Sequence, residues 1–374
     1  MRTTRRAVLG ALAMGAVAAS TTAVAGAAPA PTDEQALLNR LYEQALAEGG
    51  DLVVYAGGDK PGQADYLRDA FVQRFPKMRA NLVVDFSKNH NARVDDQLER
   101  GRVVVDAVHL QTLDDFPYWK RAGALERYCP AGWEQVYDQL KDRDGYHTGI
   151  CLFTFSNVVA TSLGDRAPVD ATDFLRPEFK DRLVFTYPND DDAVLFYFKQ
   201  LTDRYGWDFL RRLVAQRPKF VRGTQDSADL VGSGDYVASF GTSGGQPGLA
   251  RQTNPVRSPW VGWPQTAAIL RRAPHKAAAK LYLSWLLAKQ TQQEVIGTWS
   301  VRRDVPPPAG AKGIFDYPNM DPLALGTFMA DRAALDRYKA RLTQYVGDVQ
   351  GVNPSDPQSV LGLAPIDQNG TQGA

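Results

Sequence analysis

The sequence has few cysteines and histidines, the residues that form disulfides and bind soft metals. Its 374 residues include two cysteines and four histidines. A disulfide between Cys129 and Cys151 would close a loop of about 20 residues and contribute roughly 3 kcal/mol. A free buried thiol suits the apolar run around Cys151 equally well, so the sequence leaves the bridge open. The histidines show no metal-ligand spacing, and we expect neither a cofactor nor a bound metal.

The sequence also lacks a strong charge imbalance, internal repeats and a run long enough to span a membrane. Its formal net charge is +1, which gives no support to nucleic-acid or membrane binding. The longest apolar stretch, residues 7–19, is shorter than the about 20 residues that a membrane-spanning helix needs. A hydrophobic content of 44% is normal for a globular chain. The length suffices for two domains of ordinary size.

The first thirty residues have the parts of an export signal. Three arginines precede the apolar run, and Ala-x-Ala cleavage options end between residues 25 and 30. Thr4-Arg5-Arg6-Ala7-Val8-Leu9 resembles a twin-arginine signal, with an ordinary secretory signal as the alternative. No cysteine lies near the cleavage options, which argues against a lipid anchor. We therefore predict a soluble mature protein that is exported to the periplasm or secreted.

The N-terminal third alternates buried strands with amphipathic helices. Strands are predicted over 51–55, 81–86 and 103–110, and helices over 33–48, 64–75 and 92–100, with glycine or proline at most of the stops. A second set of strands is predicted over 150–155, 183–188 and 236–240, with helices over 193–205, 208–215 and 226–232. This alternation predicts an α/β fold in which a mainly parallel sheet is covered by helices on both faces.

Polar and glycine residues follow most of these predicted strands. In open α/β sheets, ligands bind beyond the carboxyl ends of the strands, where glycines let backbone N–H groups approach a ligand and helix N-termini favour anions. A tryptophan at a predicted crossover, Trp263, could stack on a flat or cationic ligand. The predicted ligand-binding residues are Gly57, Gly58, Asp59, Ser87, Lys88, Gln111, Thr112, Asn157, Asn189, Asp190, Gly241, Thr242, Ser243 and Trp263.

Each of these residues also has a purely structural interpretation. Asn189 and Asp190 precede a helix and are good N-cap candidates without any ligand. Gly241-Thr242-Ser243-Gly244-Gly245 fits the Gly-x-Ser-x-Gly pattern of serine hydrolases. However, the Gln246-Pro247-Gly248 that follows is poor for the required helix, and no carboxylate lies between Ser243 and the only later histidine. We therefore predict no catalytic residues.

One C-terminal stretch predicts a single amphipathic helix. Over residues 273–289 apolar side chains recur at helical spacing, and Pro274 suits the first turn. Ser300-Val301-Arg302-Arg303-Asp304 follows after about ten residues. Together with Val54-Tyr55-Ala56-Gly57-Gly58-Asp59 and Gly123-Ala124-Leu125, this pattern resembles the extracellular solute-binding proteins of bacterial ABC importers. The likeness covers most of the mature chain and is greatest for the branch with ferric-iron, polyamine and phosphorylated-solute binders.

The resemblance implies a two-lobed periplasmic-binding-protein fold of type II, with a hinge between the lobes. Residues 1–30 would be the export signal, residues 31–149 plus 261–303 lobe one, and residues 150–260 lobe two. Residues 304–374 would form C-terminal helices and a tail that pack on the lobes. We expect a monomer.

The resemblance also implies a function. The protein would capture a small polar solute between the lobes by hinge closure and deliver it to an ABC permease. We rank an oxyanion or a phosphorylated or carboxylated organic molecule first, a polyamine or thiamine-like cation second and iron third. Ferric members of the family use adjacent tyrosines, and this sequence has no Tyr-Tyr pair. The alternatives are a sensor or scavenger without a transporter and, less favoured, an exported hydrolase that uses Ser243.

Overall fold

The computed structural model describes residues 33–362. The predicted export signal and the polar end of the tail lie outside the described residues. The helices are α1 (Asp33–Ala47), α2 (Asp65–Arg74), α3 (Ser87–Glu99), α4 (Asp115–Arg121), α5 (Asp192–Ala215), α6 (Thr224–Gly232), α7 (Lys276–Leu287), α8 (Lys289–Glu294), α9 (Ala324–Ala330) and α10 (Arg332–Val346). The strands are β1 (Asp51–Gly57), β2 (Arg79–Asp85), β3 (Ala107–Leu110), β4 (Thr148–Ala160), β5 (Val184–Thr186), β6 (Lys219–Val221), β7 (Ala238–Thr242), β8 (Ala250–Thr253) and β9 (Val261–Ile269).

The long strand β4 links two groups of elements, and the sheet that it belongs to is mixed rather than mainly parallel as predicted. The main sheet has the order β2-β1-β3-β9-β4-β7, and β8 also pairs with β4. β1 pairs in parallel with β2 and β3, whereas β9 pairs antiparallel with β3 and β4. β5 and β6 form a parallel pair that a bridge from Leu183 to Ala238 links to β7. We call β1–β3 with α1–α4, α7 and α8 the first half, and β5–β8 with α5 and α6 the second half.

The first half follows the predicted helix and strand alternation closely. Its strand β1 is buried from Leu52 to Ala56, as expected for a parallel strand that helices cover on both faces. The third strand is shorter than predicted and begins at Ala107 rather than near 103. The reason is Gln97, whose side-chain oxygen accepts hydrogen bonds from the amides of Val104 at 2.9 Å and Val105 at 3.4 Å. This side chain takes the place of a strand partner there.

The helix α7 is buried more completely than its apolar stripe predicts. Every residue from Ala278 to Leu287 except Lys280 is buried, because α7 packs against both α1 and the sheet. Lys280 and Lys276 reach the carboxylate of Glu126 at 3.3 and 3.4 Å. The helix is therefore a central part of the first half's core.

The Ser300–Asp304 stretch fixes the end of α7. The guanidinium of Arg302, only 3% exposed, donates to the carbonyl of Leu287 and to the carboxylate of Glu34, both at 2.7 Å. It also donates to Asp304 at 2.8 and 2.9 Å. The last carbonyls of a helix have no partner within the helix, so this arginine satisfies one of them and ties α1 to α7.

Several finer expectations have clear outcomes. The predicted break between two helices near residue 206 falls inside α5, where Gly206 has a non-helical conformation. The C-terminal helices α9 and α10 both pack on α5. Cys129 and Cys151 are free, the first exposed and the second buried, so they do not form a disulfide. Among residues 33–362, no helix is both long and apolar enough to cross a bilayer.

Replacing Arg302 with alanine should lower the free energy of unfolding by about 3 kcal/mol, because it leaves a buried carbonyl and a carboxylate without their donor. Urea unfolding followed by circular dichroism measures the change. The matched control is Arg303→Ala at the next position, where the side chain is 45% exposed and the loss should be within about 0.5 kcal/mol. Equal losses for the two variants would contradict this account of the motif.

Candidate functional site

The carboxyl ends of the first three strands meet at one edge of the first half, as predicted. Gly57 ends β1, Ser87 follows β2 and Gln111 follows β3. The Ser87 hydroxyl accepts a hydrogen bond from the Gln111 amide at 3.0 Å. A Cβ atom on Gly57 would collide with this hydroxyl, so glycine at 57 is what lets the loops meet. These contacts form the floor on one side of a cleft.

The second half presents the beginnings of two helices to the same cleft. Asp191 is the N-cap of α5, and its carboxylate accepts from the amides of Ala193 at 2.8 Å and Val194 at 2.9 Å. Thr224 begins α6, directly after Gly223, whose φ of 77° is in the left-handed region that favours glycine. The cleft is therefore faced by strand ends from the first half and helix starts from the second.

A cavity of about 120 Å³ lies between these walls. Its sides are polar at the strand ends and aromatic where β4 and β9 pass beneath it. Trp263 stands edge-on to Phe155, with ring centroids 4.7 Å apart, and its indole N–H donates to Gln265 at 3.3 Å. The lining residues are Gly57, Gly58, Asp59, Gln63, Phe86, Ser87, Lys88, Gln111, Thr112, Phe153, Phe155, Asp190, Asp191, Asp192, Gly223, Thr224, Ser243, Trp263, Gln265 and Met329.

The charged groups of the lining are four aspartates and one lysine. Lys88 donates to the carboxylate of Asp190 at 2.5 Å and to its carbonyl at 2.7 Å. Arg222 donates to the same carboxylate at 2.7 Å. Burial acts to raise the pKa of Asp190, but the hydrogen bonds from Arg222 and Lys88 outweigh it and lower that pKa. This carboxylate is therefore ionised and its charge is compensated within the protein.

Two other carboxylates of the cavity are harder to ionise. Burial raises the pKa of Asp191 to about 7, and the nearby charge of Asp59 adds to the effect. Burial also raises the pKa of Asp59, against the hydrogen bonds from Thr224 and Gln225 that favour its ionised form. A positive charge that entered the cavity would favour the ionised form of both groups.

Ten of the fourteen residues predicted to bind a ligand line this cavity. They come from six separate segments, so the rule brought together residues that are distant in the chain and share one cavity. They are Gly57, Gly58, Asp59, Ser87, Lys88, Gln111, Thr112, Asp190, Ser243 and Trp263. Whether they bind a solute stays a prediction.

The other four predicted residues, Asn157, Asn189, Gly241 and Thr242, do not line the cavity, because each serves the fold. Asn157 follows an irregular register in β4 and donates to the Val169 carbonyl at 2.8 Å. Asn189 donates to the Gly347 carbonyl at 3.0 Å, so it holds the C-terminal segment. Thr242 is fully buried and donates to the Thr224 carbonyl at 2.6 Å. Gly241 lies within β7 with a φ of 70°.

The sequence reasoning missed several lining residues. Asp191 and Asp192 continue the predicted Asn189-Asp190 run, and Gly223-Thr224 follows a strand, so the same rule would have found them. Phe153 and Phe155 lie in the middle of β4, where no strand-end rule applies. Met329 comes from α9, which is distant in sequence, and nothing local marks it.

The arrangement does not resemble a hydrolase site. After Ser243 the chain enters a turn rather than a helix, so the nucleophile-elbow geometry is lacking. A ring nitrogen of His275 lies 3.1 Å from the buried carboxylate of Asp106, within the first half. In the part of the chain that the structure describes, no cluster of three or more His, Cys, Asp or Glu residues is placed to hold a metal ion.

The pKa of Asp191 makes stability depend on pH in a defined direction. Because the folded protein binds this proton more tightly than the unfolded chain does, the free energy of unfolding should fall as the pH rises from about 4 through about 7. Asp191→Asn keeps the cap without the charge. Urea unfolding at about pH 5 and pH 8 should show that the variant loses less stability than the wild type, by on the order of 1–3 kcal/mol. The exposed Asp165→Asn variant serves as the control and should keep the wild-type difference.

Comparison with known proteins shows the fold. No protein-family model matches the sequence, and no curated protein matches it either. The substrate binding protein of an ABC transporter from Agrobacterium tumefaciens is 15% identical, with a TM-score of 0.67 over 81% of this chain and 97% of its own. AfuA from Actinobacillus pleuropneumoniae, a periplasmic binding protein with bound fructose-6-phosphate, is 14% identical, with a TM-score of 0.64 over 79% and 98%. Iron-bound HitA from Pseudomonas aeruginosa is 13% identical, with a TM-score of 0.58 over 78% and 99%. The chain thus has the two-lobed α/β fold of the periplasmic binding proteins.

Proposed function

We propose that this chain is an exported solute-binding protein that captures a small, positively charged solute between its two halves and delivers it to an ABC-type permease. The observation that carries the proposal is the cavity between the halves, whose wall combines four carboxylates with aromatic rings. The shared fold supports it, because similar structures include the substrate binding protein of an ABC transporter. Ligand sites between two lobes are typical of proteins that close around a hinge.

The charges of the cavity favour the cationic class that the sequence ranked second. Lys88 is the positive group of the lining, and both Lys88 and Arg222 are paired with Asp190. An oxyanion would therefore find no unpaired cation in this lining, and those of the remaining aspartates that are ionised would repel it. A polyamine or thiamine-like molecule would find carboxylates for its charge and the face of Trp263 or Phe155 for its apolar or cationic part. Iron remains third, because the described residues hold no suitable metal cluster.

The predicted division of the chain fits this mechanism and forms part of the proposal. Lobe one would comprise residues 31–149 and 261–303, lobe two residues 150–260, and the C-terminal residues from 304 onward would pack on the lobes. β4 and β9 would bend as the hinge, and the closed monomer would be the form that the permease recognises. The function is binding without turnover, since Ser243 has no helix behind it and His275 is engaged elsewhere.

A thermal-shift screen of the mature protein tests the solute class. The three panels are inorganic and organic phosphates and carboxylates, then polyamines and thiamine-like cations, then ferric iron. We expect a compound of the second panel to raise the melting temperature by several degrees, because a ligand at 100 times its dissociation constant stabilises by about 2.7 kcal/mol. A shift caused only by phosphates or carboxylates would contradict the cationic class.

Variants of the cavity wall then test the placing of the site. Asp191→Asn and Trp263→Leu should each weaken a confirmed cation by roughly tenfold, since one carboxylate or one aromatic face contributes on the order of 1–2 kcal/mol. Calorimetric titration measures the affinity, and Asp165→Asn is the control with an equal change of charge. Wild-type affinity should also fall below about pH 7, where Asp191 becomes protonated. Unchanged affinity in both variants would place the solute elsewhere.

A further inference from the structure

One carboxylate of the first half crosses the cleft and binds the second half. Asp59 lies in the loop after β1, and one of its oxygens accepts hydrogen bonds from the Thr224 amide at 2.5 Å and the Gln225 amide at 3.0 Å. The Thr224 hydroxyl donates to the same oxygen at 2.5 Å. Asp59 is 8% exposed, so little water competes for these bonds.

The partners of Asp59 are the first backbone N–H groups of α6. A helix of nine residues carries partial positive charge at its N-terminus, and its first N–H groups have no partner within the helix. A carboxylate is a good acceptor for such groups, and hydrogen bonds to an ionised group are about twice as strong as neutral ones. Asp59 therefore gives α6, from the opposite half, the anion that a helix start favours.

Neighbouring groups surround this contact. A Cβ atom on Gly223 would come within 2.8 Å of the Pro354 Cγ, whereas its 3.4 Å distance from the Asp59 Cβ would be an ordinary contact. Lys60 pairs with Asp226 at 3.0 Å and also with Asp229, both on α6. These lysine pairs are more than one-third exposed and contribute little. The buried Asp59 contact is therefore the main one at this rim.

We propose that Asp59 is a clasp that holds the two halves together by occupying the N-terminus of α6 with the protein's own carboxylate. The clasp extends the proposed function and rests on it, because closure of the cleft around a solute is part of that proposal. The clasp holds the cleft closed without a bound solute. It also occupies the N–H donors of Thr224 and Gln225, so that an anionic solute cannot bind to them. Opening the cleft has to separate a buried carboxylate from three donors.

Removing the carboxylate tests the clasp. Asp59→Ala should populate an open form, and the near-isosteric Asp59→Asn, which keeps an acceptor oxygen but loses the charge, should do so to a smaller extent. Small-angle X-ray scattering without added solute should show an increase on the order of 1 Å over the roughly 20 Å radius of gyration expected for a compact chain of this length. Asp69→Asn, which removes an exposed carboxylate of the same half, should scatter like the wild type. Circular dichroism and melting confirm that each variant is folded.

Scattering curves that are identical for the wild type and both folded Asp59 variants would overturn the clasp. A second measurement examines the released donors directly: inorganic phosphate at about ten times its dissociation constant should raise the melting temperature of Asp59→Ala by roughly 2 °C and leave the wild type and Asp69→Asn unchanged. An equal phosphate shift in all three proteins would overturn the exclusion of anions. If the cation screen alone failed, the proposed solute class would be wrong, but the scattering and phosphate measurements would still test the clasp.

Discussion

The structure depends on the antiparallel pairing of β4 with β9. β4 pairs with β9 over Thr148–Phe155 and then pairs with β7 and β8 over Ser156–Ala160. β4 therefore pairs with strands on both sides of the cleft, and β9 joins it to β3 of the first half. The register of β4 is irregular between Gly149 and Cys151, within its pairing with β9, and between Ser156 and Asn157, where its pairing with β7 begins. Because irregularities of this kind bend a strand and increase its twist, the halves are joined where the shared strand changes direction.

The same pairing explains why carboxylates meet in the cleft. The strand ends of the first half and the starts of α5 and α6 of the second half lie on opposite sides of the cleft, next to β4 and β9. Helix starts attract carboxylates, and burial then makes those carboxylates costly to ionise. Each carboxylate has its own stabilising contact. Asp191 caps its own helix, and Asp190 pairs with Lys88 and Arg222. Asp59 accepts hydrogen bonds from the start of α6 across the cleft. The acidic wall is thus a consequence of the topology as much as of composition.

The sequence predicted the parts of this fold that depend on local pattern. Continuous apolar runs such as Leu52–Ala56 and the stripe of α7 mark buried strands and helices without further information. The strand-end rule found the cleft because it follows from the topology of parallel strands. It failed at Asn157, where an irregular register turns the amide to Val169, and at Thr242, whose hydroxyl serves Thr224. The direction in which a side chain points and its hydrogen-bond partner depend on residues that are distant in the chain, so the local sequence does not reveal them.

The segment after α10 adds a constraint on motion. Ser355 donates to the buried carboxylate of Asp85 at 2.6 Å, and Asn353 donates to it at 3.1 Å. Asp85 also pairs with the buried guanidinium of Arg93 at 2.5 Å. A few residues earlier, the carbonyls of Gly347 and Gly351 accept hydrogen bonds from the second half.

This segment is therefore anchored on both halves. Its anchor on the first half consists of the hydrogen bonds that Ser355 and Asn353 donate to Asp85, a carboxylate whose ion pair with Arg93 lies within that half. A hydrogen bond to a charged group contributes about 1.5–3 kcal/mol. The anchor on the second half consists of two hydrogen bonds to backbone carbonyls, each contributing on the order of 1 kcal/mol. Because α10, directly before this segment, also packs on α5, the segment stays with the second half even when these two bonds break. Any separation of the halves therefore has to stretch the residues between the two anchors or release the hydrogen bonds to Asp85. The segment is thus a third connection between the halves, besides β4 and β9, and it limits how far they can part.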